Sequence, residues 1–362
     1  CTGYAQILDA VSRCTPANTT SIAERYDAAP MLADFARLGD EPVHVNASVA
    51  VSNAAMQSNG AASSNGWVGN GHAPAKRPVE VHVPTDLANL LELRAARPAA
   101  KLVSGATDVG VQHNHGRIAP AEVIFTGRVP ELCELAIDEG VLRTGAAVSW
   151  TRVEDAVRDR LPEYHAILER FGSPQVRNAG TLVGNFANAS PIADSLPLHY
   201  VAGSTIELAS QRGERSVPIA DFYRGYKELD LAGDELIVAV RTPLPTESTR
   251  LKLYKVSNRR DMDISTVTLG VWLEVDADDA ISAARLAVGG CGPTVVRLPE
   301  AESRLVGATL SLDALEAAGR LAREAVTPIT DVRGGAEYRS QLVENLFAKC
   351  WHDLTAPEAV TA

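Results

Sequence analysis

The sequence predicts an α+β protein made of several domains. Its 362 residues are enough for two or three domains, each with a hydrophobic core. From residue 78 onward, strand patterns such as V-E-V-H-V are interleaved with amphipathic helix patterns. From residue 249 onward, strand patterns come first and helical patterns follow, an order typical of a separate α+β domain.

The composition indicates a globular protein that binds neither nucleic acid nor a membrane. Hydrophobic residues make up 46% of the chain and charged residues 22%, as in soluble domains. The formal net charge of −11 disfavours a nucleic-acid groove and an anionic membrane surface. We find no apolar run near the ~20 residues that span a bilayer and no secretory signal, so we expect a cytoplasmic protein. The chain begins with Cys1 instead of Met, and we expect its true N-terminus to lie upstream.

The cysteines favour reduced thiols over a disulfide framework or a zinc site. They are odd in number, they are scattered, and no two form a C-x-x-C pair. The five positions are Cys1, Cys14, Cys133, Cys291 and Cys350.

The first 77 residues differ in character from the rest. Residues 1–40 carry a weak helical face, which on its own indicates an ordinary N-terminal helix. Residues 41–77 are rich in Ser, Asn, Gly and Ala and nearly free of charge, so they are predicted to be a flexible linker. Residues 356–362 are predicted to be a tail.

Residues 78–248 contain strand and helix patterns in turn. Thr85 or Asp86 can cap a helix that Pro98 ends, and residues 102–103 form a strand that enters a small-residue turn. A hairpin is predicted to turn at Glu139–Gly140. The other predicted elements are a strand at 123–126, helices at 150–160, 163–171 and 192–202, and strands at 204–209 and 236–241.

Residues 249–355 are predicted to form the second α+β domain. Strands are expected at 251–257 and 281–290, whereas residues 266–275 fit a buried strand or a buried helix. Helical patterns at 299–306, 312–325 and 336–352 complete the domain.

Two stretches have the composition of ligand-binding loops. Residues 171–197 read F-G-S-P-Q-V-R-N-A-G-T-L-V-G-N-F-A-N-A-S-P-I-A-D-S-L-P, and the part from Gly180 to Ser190 is predicted to be a loop with exposed backbone N–H groups. Residues 104–110, S-G-A-T-D-V-G, join a strand to a helix. Both can approach a phosphate closely, although a long surface turn is the alternative. Neither matches G-x-G-x-x-G or the P-loop, which disfavours those two folds.

These stretches resemble the flavin-binding subunits of the molybdenum hydroxylases. The resemblance rests on S-G-A-T-D-V-G, on R-N-A-G-T-L-V-G-N-x-x-x-A-S-P-I-A-D about seventy residues later, and on D-V-R-G-G-A-E-Y-R at 331–339. It covers roughly residues 77–355, and it is strongest to the small subunit of the bacterial xanthine dehydrogenases. It implies a two-lobed FAD-binding domain of the vanillyl-alcohol-oxidase/PCMH type at 78–248, followed at 249–355 by an α+β domain like the C-terminal domain of CO dehydrogenase flavoproteins.

The resemblance also implies which residues hold FAD. The two stretches would together cradle the diphosphate and the ribityl chain. Asp194 would bond the ribityl hydroxyls, Phe171 would pack near the isoalloxazine ring, and Lys255 would lie at the flavin. Ile237 would make a backbone contact. Read without the resemblance, Asp194 is an acid at a helix N-terminus, Phe171 a core residue and Lys255 a solvated lysine. The loop residues implied are Leu102, Val103, Ser104, Gly105, Ala106, Thr107, Asp108, Val109, Thr181, Leu182, Val183, Gly184 and Asn185, with hydroxyl donors at Thr107, Thr181 and Ser190.

The resemblance further implies the partners in an electron-transfer chain. C-T-G-Y at the N-terminus looks like the end of a [2Fe–2S] domain, with Cys1 as its last cluster ligand; such a cluster needs four thiolates and would exist only in the full-length protein. Electrons would come from a molybdenum cofactor on a partner large subunit in a hetero-oligomer, and NAD+ would receive them. The charged turn at Arg259, Arg260, Asp261 and Asp263 would border the nicotinamide side, or would serve solubility alone.

Two other functions remain open at this stage. The chain could be a self-contained FAD-dependent oxidoreductase. It could also be a non-catalytic scaffold, because Val183 replaces the first glycine of the T-x-G-G-N pattern usual in the family and would crowd the diphosphate. We see no Ser-His-Asp, Cys-His or paired-carboxylate arrangement in the sequence, which fits a protein whose flavin performs the chemistry.

Overall fold

The computed structural model of the chain describes residues 43–50 and 76–356, with side-chain environments given for 79–356. Residues 1–40 with the predicted cluster ligand Cys1, most of the predicted linker (51–75) and residues 357–362 of the predicted tail therefore lie outside the described residues. No helix in the described ranges is both long enough and apolar enough to cross a bilayer.

The first sheet is a small four-stranded sheet in which β2, β4 and β3 run parallel. Two helices form the crossovers between these parallel strands, as parallel pairing requires. The elements are β1 (Val43–Ala50), β2 (Lys76–Val83), α1 (Leu87–Ala96), β3 (Lys101–Val103), α2 (Thr107–Asn114) and β4 (Glu122–Phe125), with strand order β1-β2-β4-β3. Helix α1 begins where the sequence predicts, because the Asp86 carboxylate accepts a hydrogen bond from the Asn89 amide at 2.8 Å.

The second sheet has five antiparallel strands, ordered β5-β6-β11-β7-β8. The predicted hairpin forms, and it turns at Glu139 and Gly140, both at positive φ. Its strands are β5 (Leu135–Asp138), β6 (Val141–Gly145), β7 (Thr205–Ser210), β8 (Gly213–Pro218) and β11 (Leu236–Pro243). A 3-10 turn (Pro130–Cys133) precedes the hairpin, and between β8 and β11 lie α8 (Ile219–Phe222), β9 (Tyr223–Gly225) and β10 (Glu228–Leu229).

Five helices lie between β6 and β7. They are α3 (Trp150–Val157), α4 (Pro162–Leu168), α5 (Pro174–Ala179), α6 (Leu182–Asn188) and α7 (Leu196–Ala202). Every residue of α7 is buried, because it packs on the second sheet and also on β13 and β14 of the third. Gly270 makes the close approach possible: a Cβ there would lie 2.9 Å from the Pro197 carbonyl oxygen.

The third sheet is antiparallel and is backed by three helices. Residues 266–275, which fitted either a strand or a helix, contain a nine-residue buried strand. The strands are β12 (Thr249–Val256), β13 (Val267–Val275), β14 (Ile281–Gly289) and β15 (Val296–Arg297), in that order across the sheet, and the helices are α9 (Pro299–Leu305), α10 (Leu312–Ala325) and α11 (Ala336–Thr355). One face of this sheet and its helices form a second hydrophobic core, whereas Leu253, Trp272 and Ala287 of the sheet belong to the core of the first two sheets.

Two sequence-based predictions differ from the structure. Residues 43–50 lie in the predicted linker, yet they form β1; V-H-V-N-A-S-V-A alternates apolar and polar residues, a pattern that the surrounding Ser/Asn/Gly composition obscured. The predicted loop after Gly180 contains helix α6. Its N-terminus is stabilised because Thr181 Oγ1 accepts from the Gly184 amide at 3.0 Å, and its apolar face, including Phe186, is buried. The predicted domain boundaries otherwise stay predictions.

Candidate functional site

The turn between β3 and α2 presents backbone N–H groups that lack protein partners. Its last residue, Ala106, has φ 57°, a left-handed conformation. Ala106 is also the N-cap of α2, and because its side chain makes no capping hydrogen bond, the first amides of the helix are left without that partner. Among residues 79–356, no acceptor bonds the amides of Thr107, Asp108 and Val109. These three donors line a cleft and are available to a ligand.

The second predicted loop meets the first one backbone to backbone. A Cβ built on Gly105 would lie 1.8 Å from the Ala179 carbonyl oxygen, so only glycine allows this contact. A Cβ built on Gly180 would lie 3.1 Å from Thr107 Oγ1, which also shows how closely the stretches approach. The structure therefore brings together two motifs that are about seventy residues apart in the chain.

An aromatic pair forms one side of this contact region. The rings of Trp150 and Phe171 are tilted by 54° with centroids 4.8 Å apart. The Trp150 amide donates to the Gly180 carbonyl at 2.9 Å. The Arg177 guanidinium holds the chain at Phe171 by donating to its carbonyl at 3.1 Å, and it is itself paired with Glu154 at 2.8 Å.

We call the space enclosed by these groups the loop cleft. Its volume is about 400 Å³, within the range of small-molecule sites. Its charged lining residues are Lys101, Lys227 and Asp108, which gives an excess of one positive charge. The full lining comprises residues 101–109, Gln112, Trp150, Phe171, Val176, Thr181, Gly184, Asn185, Ala187, Asn188 and Lys227.

A smaller apolar cavity of about 120 Å³ adjoins the loop cleft and shares residues 102–104 with it. Val183 and Ile237, both predicted site residues, line this cavity, and Leu182 is buried in the core beneath. The Val183 side chain is only 5% exposed and does not line the loop cleft. The crowding of a diphosphate by this valine stays a prediction, and its side chain lies at the apolar cavity.

Asp194 and Lys255 form a buried ion pair next to the cleft. The ammonium lies 2.5 Å from Asp194 Oδ2, and the two side chains are 7% and 1% exposed. The Lys255 ammonium also donates to the carbonyls of Asp263, at 3.0 Å, and Arg170, at 3.4 Å, so all three of its protons have acceptors. The Ser265 hydroxyl donates to the other oxygen of Asp194. Neither side chain lines the loop cleft, and their roles toward a flavin stay predictions.

The charged turn at 259–263 is exposed at Arg259, Arg260 and Asp261, whereas Asp263 is half-buried and its carbonyl accepts from Lys255. The Asp263 carboxylate accepts from the amides of Arg259, at 2.8 Å, and Ile264, at 3.0 Å, and these bonds hold its pKa below the ordinary value. Ser190, predicted as a hydroxyl donor, does not line the loop cleft.

Comparison with known proteins supplies the family. Residues 77–245 match the FAD binding domain in molybdopterin dehydrogenase, and residues 252–354 match the CO dehydrogenase flavoprotein C-terminal domain. The xanthine dehydrogenase FAD-binding subunit of Escherichia coli O157:H7 is 33% identical over 272 residues, which are 74% of this chain and 93% of that protein. The chain belongs to the FAD-binding subunits of the xanthine dehydrogenase family. Xanthine dehydrogenase 1 of Arabidopsis thaliana is 31% identical over 282 residues, and this chain spans 21% of its length.

Solved structures of the family share the fold. Carbon monoxide dehydrogenase from Hydrogenophaga pseudoflava superposes with a TM-score of 0.71 at 25% identity, covering 75% of this chain and 95% of that one. Quinoline 2-oxidoreductase from Pseudomonas putida 86 gives 0.69 at 26% identity, covering 75% and 94%. The predicted resemblance and the predicted fold class are both confirmed.

The residues present in the loop cleft fit the cofactor of this family. FAD carries a diphosphate, and the unpartnered amides of residues 107–109 together with Lys101 and Lys227 provide donors and positive charge for one. Gly105 leaves the space that a side chain would fill. FAD also carries flat rings, which suit the Trp150–Phe171 pair and the apolar cavity.

Several residues of the site are missing from the sequence-based prediction. Trp150 was assigned only to a helix, and its place in the cleft depends on a hydrogen bond to Gly180, which is distant in sequence. Lys227 lies in the turn between β9 and β10 at φ 56°, and a single exposed lysine gives no local signal. The remaining lining residues reach the cleft because they lie on helices α2, α5 and α6, which also carry motif residues; they are Gln112, Val176, Ala187 and Asn188.

Proposed function

We propose that the chain holds FAD in the loop cleft and acts as an electron-transfer subunit of a xanthine dehydrogenase-like molybdenum hydroxylase. In this proposal, the hydroxylation site lies on a partner large subunit that carries the molybdenum cofactor. When bound, FAD supplies redox chemistry that accepts electrons singly from iron–sulfur clusters and passes a pair to NAD+. Membership of the family supports the flavin part of the proposal.

One observation carries the assignment of the site. Residues 102–109 of one motif and Thr181, Gly184 and Asn185 of the other line one cleft, which combines free backbone donors with a positive charge excess. A diphosphate needs this combination, because each phosphate brings negative charge and several acceptor oxygens. A long surface turn would not need Gly105 packed against Ala179.

The residues of the cleft would bind and orient the cofactor. The amides of residues 107–109 would donate to the diphosphate, and Lys101 and Lys227 would neutralise part of its charge. Trp150 and Phe171 would pack against a ring, and Val183 and Ile237 would keep water away from the apolar end. The buried pair of Asp194 and Lys255 would fix the segment from Arg170 to Phe171 at the cleft wall.

The iron–sulfur, acceptor and location parts of the proposal rest on the resemblance described above. Cys1 would be the last ligand of a [2Fe–2S] cluster in the full-length protein, which would join the molybdopterin-binding subunit in a hetero-oligomer. A cytoplasmic location is consistent with the free thiols of Cys133, Cys291 and Cys350.

The visible absorption spectrum of the purified chain tests the proposal. The chain is mixed with FAD, freed of unbound ligand and scanned, and NADH is then added without oxygen. We expect flavin absorption that corresponds to nearly one FAD per chain, and we expect NADH to bleach it. A colourless chain that takes up no FAD would reject the flavin site, and bound flavin that NADH leaves oxidised would reject the NAD+ part. Turnover of a substrate without any partner subunit would favour a self-contained oxidoreductase.

A further inference from the structure

A buried hydroxyl fixes the orientation of one polar side chain of the loop cleft. Ser195 is fully buried at the N-terminus of α7, and its Oγ donates to Asn185 Oδ1 at 2.8 Å. Asn185 lines the cleft. Within residues 79–356, no protein group accepts from the Asn185 Nδ2 atom. The side-chain oxygen of Asn185 is thus bonded within the protein, and its side-chain NH2 group remains available to a ligand.

A chain of buried polar groups stands behind Ser195. The Tyr164 hydroxyl interacts with Ser195 and lies 3.4 Å from His199 Nε2. On the other side of the imidazole, Nδ1 lies 3.0 Å from Thr242 Oγ1 and 3.1 Å from Ser204 Oγ. All of these side chains are at most 1% exposed, so each hydrogen bond is protected from water.

Both nitrogens of the buried His199 ring have hydroxyl partners. Burial lowers the pKa of His199 to about 3, so the ring is neutral and one nitrogen must accept a hydrogen bond. The Ser204 and Thr242 hydroxyls face Nδ1 and the Tyr164 hydroxyl faces Nε2, so both nitrogens have polar partners. Ser195 in turn donates to Asn185.

We infer that Ser195 is a positioning residue that holds the Asn185 amide with its NH2 group toward a phosphate oxygen of the ligand. This inference rests on the proposed flavin function. It adds Ser195, which does not line the loop cleft, to the residues that serve ligand binding. Without Ser195, the amide can flip and present its oxygen to the anion, which repels it. Because the correct orientation is set before binding, the ligand does not have to order this side chain.

A double-mutant cycle measured by FAD binding tests the inference. The full chain is stripped of flavin, and the quenching of flavin fluorescence gives Kd for the wild type, Ser195→Ala, Asn185→Ala and the double variant. Ser195→Ala should raise Kd about fivefold to tenfold, as for a lost hydrogen bond. It should have no further effect when Asn185 is already alanine, because Ser195 acts only through that amide. Ser195→Thr, which keeps the hydroxyl, should bind nearly as the wild type does.

Each outcome of this cycle is decisive. An unchanged Kd for Ser195→Ala overturns the inference, and so does a loss of the same size in the Asn185→Ala background, because it would mean a general packing effect. If Ser195→Ala does not fold, Ser195→Cys keeps the volume with a weak donor and should show a smaller increase in Kd; no increase overturns the inference. A wild-type chain that binds no FAD overturns the proposed function and this inference with it.

Discussion

Gly105 lies so close to Ala179 that a Cβ on residue 105 would be 1.8 Å from the Ala179 carbonyl oxygen. This contact joins the turn after β3 to the end of α5. The obstacle is backbone, which cannot rotate away as a side chain can. The shape of the loop cleft therefore depends on the absence of a side chain at a single position.

We predict that Gly105→Ala separates the two stretches and weakens FAD binding by at least about tenfold, with a loss of about 1–3 kcal/mol of unfolding free energy, as for an overpacked site. Flavin fluorescence and urea denaturation measure the two effects. Gly110→Ala is the matched control, since a Cβ at this helical position meets nothing within 4 Å. If Gly105→Ala binds FAD as well as Gly110→Ala does, the contact does not shape the cleft.

The buried pair of Lys255 and Asp194 leads to a second prediction. Lys255→Met leaves the Asp194 carboxylate without its cation at a site that is 7% exposed. Removing one partner of a buried pair typically costs about 3–5 kcal/mol, and we expect a loss of this size in urea denaturation at pH 7. The control is Arg158→Met, which breaks an exposed pair with Asp155 and should cost less than about 1 kcal/mol. A Lys255→Met chain as stable as this control would show that the pair is solvated in solution.

Local sequence patterns predict much of the secondary structure but few of the strand pairings and tertiary contacts. Asp86 and the Glu139–Gly140 turn are visible in the sequence because caps and turns act over a few residues. The second partner of β6 is not visible, since β6 also pairs with β11, whose residues lie about a hundred positions later. The loop motifs could be recognised, whereas the bond between Lys255 and Asp194 needs a tertiary contact across 61 positions. For the same reason Lys255 resembled a solvated lysine when judged from its neighbours in sequence.

The pKa of Glu235 gives a pH-dependent prediction. Two hydrogen bonds from Arg215, at 2.7 and 2.8 Å, hold this pKa down to about 2. Because the unfolded value is about 4.3, the pair contributes stability above pH 5 that is lost as the pH falls toward 2. Arg215 is 39% exposed, so solvent screens the pair and we expect a contribution of about 1–2 kcal/mol.

Glu235→Gln measures this contribution. The difference in unfolding free energy between the wild type and Glu235→Gln should be largest at pH 7 and should shrink at pH 3, where the unfolded carboxyl is protonated. Asp155→Asn is the control, since its pair with Arg158 is exposed and its effect should be small at both pH values. A difference that stays constant from pH 7 to pH 3 would contradict the low pKa.

Val183 gives the last prediction, which separates a crowding role from a packing role. Its side chain is 5% exposed, lies on the buried face of α6, and lines the apolar cavity beside Ile237. Val183→Gly removes this burial and places glycine in a helix, so we expect a loss of about 2–4 kcal/mol of unfolding free energy. Val183→Ala, the matched variant, should lose about 1 kcal/mol less because alanine favours the helix. FAD should bind both variants no more tightly than the wild type. Tighter binding by Val183→Gly would mean that the valine does crowd the diphosphate and that the family glycine serves the ligand rather than the fold.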